Sequence, residues 1–220
     1  MKNIELILFA ILVFSACSKN QVEVPLALPA SDFFPLKMNS YWIYDALKID
    51  IDAPVDKFDT SRFELKVIIN DFDSLTQLYE FWRYTRPDSL SEWVIFDIVS
   101  VDTNTIGIQS IEDNLRFLKL SDPIILDKTW DGNSFNILPA WDYSYTDISG
   151  RFENEYLEIK EVIRVDERNV VNLLQQEIAW EIYGKNVGLV FKHEEVLKLE
   201  ANKVKTGHII EYNLIKYGIE

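Results

Sequence analysis

The side chains able to do chemistry in this 220-residue chain are few and widely spaced. It has one thiol, Cys17, and two imidazoles, His193 and His208. His193 is followed by Glu194-Glu195 but by no second histidine four residues on, so the helical zinc-hydrolase spacing is missing. Both histidines read as exposed strand residues in preference to a metal pair across a terminal hairpin. No metal or other cofactor is expected. Neither a Gly-x-Ser-x-Gly elbow nor a phosphate-cradling glycine loop occurs. Asp50-x-Asp52 and Asp71-x-Asp73 lack the glycine and later glutamate of a calcium loop and read as solvated turns. With 36 Asp and Glu residues, coincidental carboxylate pairs are inevitable, and spacing alone identifies no glycosidase pair. A non-enzymatic protein is expected, with a hydrolase as the minor alternative.

Aromatic side chains offer a better ligand surface. Trp141, Tyr143 and Tyr145 alternate with Asp142 and Ser144, as in a strand with one aromatic face. Flat rings beside small polar groups suit a sugar ring, and an apolar pocket of such rings suits a lipid. The competing reading packs these rings in the core. Trp42, Trp82, Trp93 and Trp180 are assigned to the core on the same grounds.

Cys17 stands at the end of a distinct leader. Lys2 and the α-amino group are positive, Leu6 to Phe14 is an uninterrupted apolar run, and Ser15-Ala16 are small. The run is too short to cross a bilayer, which takes about 20 apolar residues. The stretch resembles a bacterial lipoprotein signal, with Phe14-Ser15-Ala16-Cys17 as its lipobox. That resemblance implies diacylglycerol on the Cys17 sulfur, cleavage before it and acylation of the new amine by a chain such as palmitate. Two or more chains give stable anchoring where one does not. A modified Cys17 leaves no thiol, which excludes disulfides, thiol catalysis and cysteine–zinc sites. The expected organisation is a signal at 1–16, a tether at 17–32 carrying Pro25 and Pro29, and one β domain at 33–220. The resemblance to lipoproteins implies the outer membrane, since Ser18 follows the cysteine as in lipoproteins retained there, and a periplasm-facing position, since Ser18 to Glu23 lacks the acidic cluster associated with surface export of such lipoproteins. Exposure at the cell surface is the alternative.

The elements that must position these residues are strands. The composition includes six Trp, ten Tyr and thirteen Phe, which together with many Ile and Val favours β-structure. Alternating segments recur at Tyr41–Asp45, Phe63–Asn70, Thr76–Arg86, Glu92–Val101 and Thr105–Ser110. Others follow at Trp141–Gly150, Glu155–Val165, Val170–Ile182, Leu189–Leu199 and His208–Tyr217. Turn residues separate them every 8–12 positions or so, the rhythm of an antiparallel all-β domain. Asp50 to Ser61 reads as a loop, and Ile111 to Leu120 fits either a short helix or a strand. The expected fold is one strongly curved antiparallel sheet or open barrel, since closure protects sheet edges. A two-sheet sandwich is the alternative. A net charge of −14 opposes binding to phosphate backbones, so no nucleic acid partner is expected.

Two stretches carry a family resemblance. Phe34-Pro35-Leu36-Lys37-Met38-Asn39-Ser40-Tyr41-Trp42-Ile43-Tyr44 resembles the opening of many uncharacterised Bacteroidota lipoproteins. Tyr183-Gly184-Lys185-Asn186-Val187-Gly188-Leu189-Val190 resembles a stretch near their C-terminus. Asn39 and Asn186 stand where that pattern has glycine, and asparagine tolerates positive φ well enough to keep a turn. The resemblance implies an all-β extracytoplasmic domain and no known catalytic residue. The function expected from all this is a membrane-anchored, non-enzymatic binding or carrier module for lipid or glycan. The alternative is an assembly partner of another envelope protein.

Overall fold

Twelve antiparallel strands build the domain in the computed structural model, which describes residues 26–200 and 203–220. In chain order they are β1 (Ser40–Asp52), β2 (Lys57–Asp73), β3 (Leu78–Arg86), β4 (Val94–Asn104), β5 (Gly107–Glu112) and β6 (Leu115–Ser121). Then come β7 (Thr129–Asp131), β8 (Asp142–Glu153), β9 (Glu158–Val171), β10 (Gln175–Gly184), β11 (Gly188–Glu200) and β12 (Lys203–Ile219). The sheet order is β6-β5-β4-β3-β2-β1-β12-β11-β10-β9-β8-β7. It is two meanders, each of sequence neighbours, joined where β1 pairs with β12 from Ser40↔Ile219 to Asp52↔Thr206.

The sheet curls until its two edges nearly meet. Leu118 N in β6 donates to the Gly132 carbonyl just past β7 at 2.9 Å, and Trp130 Nε1 in β7 donates to the Leu118 carbonyl at 2.9 Å. Asn136 Nδ2 caps the Arg116 carbonyl across the same seam at 2.9 Å. Register shifts that leave an extra residue in β2, β4, β6, β8, β9, β11 and β12 supply the curvature, because an extra residue bends and twists its strand. The expected curved sheet or open barrel is therefore the observed fold, and the sandwich alternative is not.

Alternation decides what faces inward. In β1, Ser40, Trp42, Tyr44 and Ala46 are buried while the residues between them are not. Leu65 and Ile69 of β2, Phe81 of β3, Val99 and Val101 of β4, and Tyr183 of β10 join them in one core. Each such side chain contributes about 1.5–3 kcal/mol on leaving water.

Several local expectations change. Asp50 to Ser61 is not a loop: β1 runs to Asp52, one 3₁₀ turn spans Ala53–Val55, and β2 begins at Lys57. Ile111 to Leu120 is no helix but parts of β5 and β6 around the Asp113-Asn114 turn, both residues lying at positive φ. Of the expected signal and tether, residues 1–25, Cys17 included, lie outside the described residues. The rest of the tether segment is docked. Leu28 forms a bridge with Ile124, Ala30 is buried, and Ala30 N donates to Asp122 Oδ1 at 2.7 Å. Only Trp42 of the four tryptophans assigned to the core is buried. Trp82 and Trp180 sit on strand positions out of phase with the buried Phe81 and Glu181. Trp93 precedes β4. Each is half-buried beneath a cation or beside an acceptor. Arg164 covers Trp180 at 4.0 Å, Arg86 covers Trp93 at 4.2 Å, and Trp82 Nε1 reaches Glu80 at 3.1 Å.

Candidate functional site

The two stretches that carried the family resemblance meet at one end of the barrel, its base. Asn39 (φ 64) and Asn186 (φ 60) both occupy the left-handed region, so each makes the turn expected of it. Asn186 N donates to the Asp32 carbonyl at 2.6 Å, which holds the incoming chain against the β10–β11 turn. The next residues then plug the base. Phe33 is buried, and the Phe34 ring lies 5.9 Å from Phe81 and 6.0 Å from Tyr183. Trp42 stacks on Phe81 at 6.1 Å, and Tyr44 Oη donates to the Leu189 carbonyl at 3.0 Å.

Above this aromatic base the barrel is not filled. A cavity of about 120 Å³ lies inside it, open toward solvent. Its apolar wall includes Phe34, Trp42, Tyr44, Leu65, Val67 and Phe81. Arg83, Glu112, Lys119, Glu181 and Lys192 line it on the far side from the plug, with Tyr212 among them. The result is a pocket with an apolar end and a charged end.

The charged end is an ordered set of pairs. Lys119 Nζ binds Glu181 Oε1 at 2.9 Å and also contacts Glu167, both carboxylates being buried. The Tyr183 hydroxyl donates to Glu181. Arg83 grips Asp97 through Nε and Nη2 and reaches Glu112 through Nη1 at 3.4 Å. Lys192 stands 3.3 Å from Glu194, which His208 Nε2 also approaches at 3.2 Å. Burial opposes charge on Lys119, but Glu167 and Glu181 outweigh it and raise its pKa well above the usual lysine range. Burial, reinforced by the negative Glu181, pushes the Glu167 carboxyl up to about 7. Burial also works against the Glu181 charge, yet Lys119 and Lys192 prevail and hold it below the usual carboxylate range. A nucleophilic lysine needs a lowered pKa. Lys119 has the reverse.

The three aromatics expected to bind ligand do not line this cavity. Tyr145 is fully buried and donates to the Ser121 carbonyl at 2.8 Å; its ring packs 4.5 Å from Trp130. Tyr143 is buried between Trp130, at 5.9 Å, and Lys119 Nζ, 5.9 Å from its ring. Trp141 is half-buried with the Arg168 guanidinium 3.0 Å from its ring centre. These residues back the charged layer and close the seam. His193 pairs with Glu211 at 3.0 Å and His208 with Glu194, so the two imidazoles serve separate carboxylates. No group of three His, Cys, Asp or Glu among the described residues is arranged for a metal.

The cavity residues escaped a sequence reading for a physical reason. In β10, Glu181 is in phase with Ala179 and Tyr183, but Trp180 and Ile182 make the opposite face look equally apolar. A glutamate in phase with buried residues was the available signal, and it was ambiguous without knowing which face was inside.

No known protein family matches the chain, and no curated protein matches it. Two solved structures, both of proteins named only provisionally, are similar to it. One is a lipoprotein from Parabacteroides distasonis, with TM-score 0.38 and 12% identity over 84% of this chain and 98% of that one. The other is an exported protein with a YmcC-like fold from Bacteroides fragilis, with TM-score 0.36 and 9% identity over 88% of this chain and 100% of that one.

Proposed function

We propose that this protein is a lipid-anchored module of the bacterial envelope whose barrel holds the apolar end of a small amphipathic ligand without transforming it. The observation that carries this reading is the cavity, apolar toward the base and charged at its other end. An apolar cavity of about 150 Å³ accepts benzene. This one suits a short chain or the tip of a longer acyl group. A pyranose is larger and brings hydroxyls to every side, which an aromatic base cannot satisfy. Lipid-like ligands therefore fit better than glycans. The non-catalytic reading draws support from two sets of ion pairs, Lys119 with Glu167 and Glu181, and Arg83 with Asp97 and Glu112.

Anchoring rests on the Cys17 leader pattern, with the outer membrane and a periplasmic orientation as the preferred placement. Cys17→Ala should move the protein from the membrane to the soluble fraction and abolish labelling by a clickable palmitate analogue. Retention of label would refute anchoring at this residue. The ligand reading is tested by native mass spectrometry and by displacement of an apolar fluorophore. Val99→Leu should fill the cavity and suppress binding of that fluorophore. Unchanged binding in this variant would place the ligand elsewhere.

A second reading has its own observation. The hairpin tips at the end opposite the base carry exposed apolar side chains: Val55 and Phe58, Ile137, and Leu173 with Leu174. These would suit docking to another envelope protein. Cross-linking from these tips, with recovery of one partner lost in Leu173→Asp, would favour it.

A further inference from the structure

We propose that Lys192 and Tyr212 recognise an uncharged hydrogen-bond acceptor, such as an ester or amide carbonyl, at the head of the cavity's ligand. This rests on the cavity being a binding site. The two residues are direct partners across β11 and β12, and both line the cavity. Tyr212 packs its ring against Tyr44 at 6.0 Å, which fixes it, while its hydroxyl has no hydrogen-bond partner among the described residues. Lys192 Nζ lies 6.0 Å from the centre of the Tyr212 ring and has one carboxylate in ion-pair contact, Glu194 at 3.3 Å, with Glu181 and Glu112 farther off. An ammonium carries three donors, so Lys192 has capacity for a further acceptor.

The other polar groups of the lining are more heavily committed, Lys119 keeping one of its three donors and Arg83 two of its five. Lys119 serves Glu167 and Glu181, Tyr183 serves Glu181, and Ser110 Oγ serves Glu112 at 3.1 Å. Arg83 uses Nε and Nη2 on Asp97 and Nη1 on Glu112. The least committed donors of the lining are therefore those of Lys192 and Tyr212, on paired positions of β11 and β12.

Charge then selects among acceptors. Arg83, Lys119, Arg168 and Lys192 face Asp97, Glu112, Glu181 and Glu194, with Glu167 pushed up to about 7, so charge around the head position is close to balanced. A ligand carboxylate or phosphate would upset that balance beside Glu112, Glu181 and Glu194, where like charges repel. An amine would confront Lys192 itself and offer donors where acceptors are wanted. A neutral carbonyl or ether oxygen accepts both hydrogen bonds and brings no charge.

The test is calorimetric titration of the purified protein with methyl hexanoate, hexanoate, hexylamine and benzene. Methyl hexanoate should bind at least about tenfold more tightly than hexanoate or hexylamine. Tyr212→Phe keeps the ring against Tyr44 and should weaken methyl hexanoate by about tenfold, the usual worth of one such hydrogen bond. Lys192→Met should do the same, and neither change should affect benzene. Tighter binding of hexanoate, or variants with no effect on methyl hexanoate while benzene still binds, would overturn the recognition pair and leave the cavity reading intact. Failure of every probe, benzene included, would overturn both.

Discussion

Trp42 Nε1 donates a hydrogen bond to the Val187 carbonyl at 2.5 Å, tying the second residue of β1's buried face to the β10–β11 turn 145 positions later. Gly188 follows that carbonyl at φ +99, and a side chain on it would begin 3.2 Å from the same indole nitrogen. One contact therefore links the two stretches that resembled other lipoproteins and sets the floor of the cavity.

Trp42→Phe should leave the Val187 carbonyl buried without a donor and cost about 1–3 kcal/mol. Gly188→Ala combines a backbone conformation unfavourable to L-residues with pressure on the indole, and about 1–3 kcal/mol is expected there too. Urea unfolding of each variant measures the loss. Wild-type midpoints in both would show that the base is not held this way.

Lys119 is the cation shared by two buried carboxylates. Lys119→Met should strand Glu167 and Glu181 and destabilise the fold by about 3–5 kcal/mol near neutral pH. Adding Glu167→Gln and Glu181→Gln should restore much of that loss. The comparison is a set of melting curves at one pH; a triple variant no better than Lys119→Met would mean packing, not charge, explains the effect.

Glu167 makes stability depend on pH with a defined sign. Its folded pKa, about 7, lies above the ordinary carboxylate value of 4.5, so the folded state binds more protons between those limits. Its contribution to stability is greatest below about 4.5 and falls as pH rises through 7. Glu194 behaves oppositely: its carboxyl is held down near 2, so its contribution is present above 4.5 and lost as pH falls toward 2. Glu167→Gln should thus flatten the decline in stability between pH 5 and pH 7.5. Parallel wild-type and variant curves across that window would contradict the assignment.

The seam between β6 and β7 depends on few bonds. Trp130→Phe removes the donor to the Leu118 carbonyl, and Asn136→Ala removes the cap on Arg116. Each should cost about 1 kcal/mol, and together they should speed amide exchange in β6 more than in β1. Uniform acceleration across the sheet would point to global destabilisation instead.

Much of the fold was legible because it is local. Alternation along Tyr41–Asp45 and the regular spacing of turns identify antiparallel strands, and Asn39 and Asn186 mark turns because few residues tolerate positive φ. The length of β1 and β2 was not legible. Lys48 to Asp52 and Lys57 to Ser61 are polar enough to read as a loop, yet β1 pairs with β2 and β12 on either side out to Asp52. Backbone hydrogen bonding carried those residues where side-chain hydrophobicity did not.

By itself, the sequence determined the strand class, many turn positions and the net acidic charge, each a property of composition or of neighbouring residues. Only the tertiary structure decided which aromatic face turns inward. It buried Tyr145 and Tyr143 behind the charged layer and gathered Trp42, Arg83, Lys119, Glu181, Lys192 and Tyr212 around one cavity. These come from β1, β3, β6, β10, β11 and β12, and no spacing along the chain could foretell their meeting. Curvature and closure of the sheet, which depend on long-range register, set that arrangement.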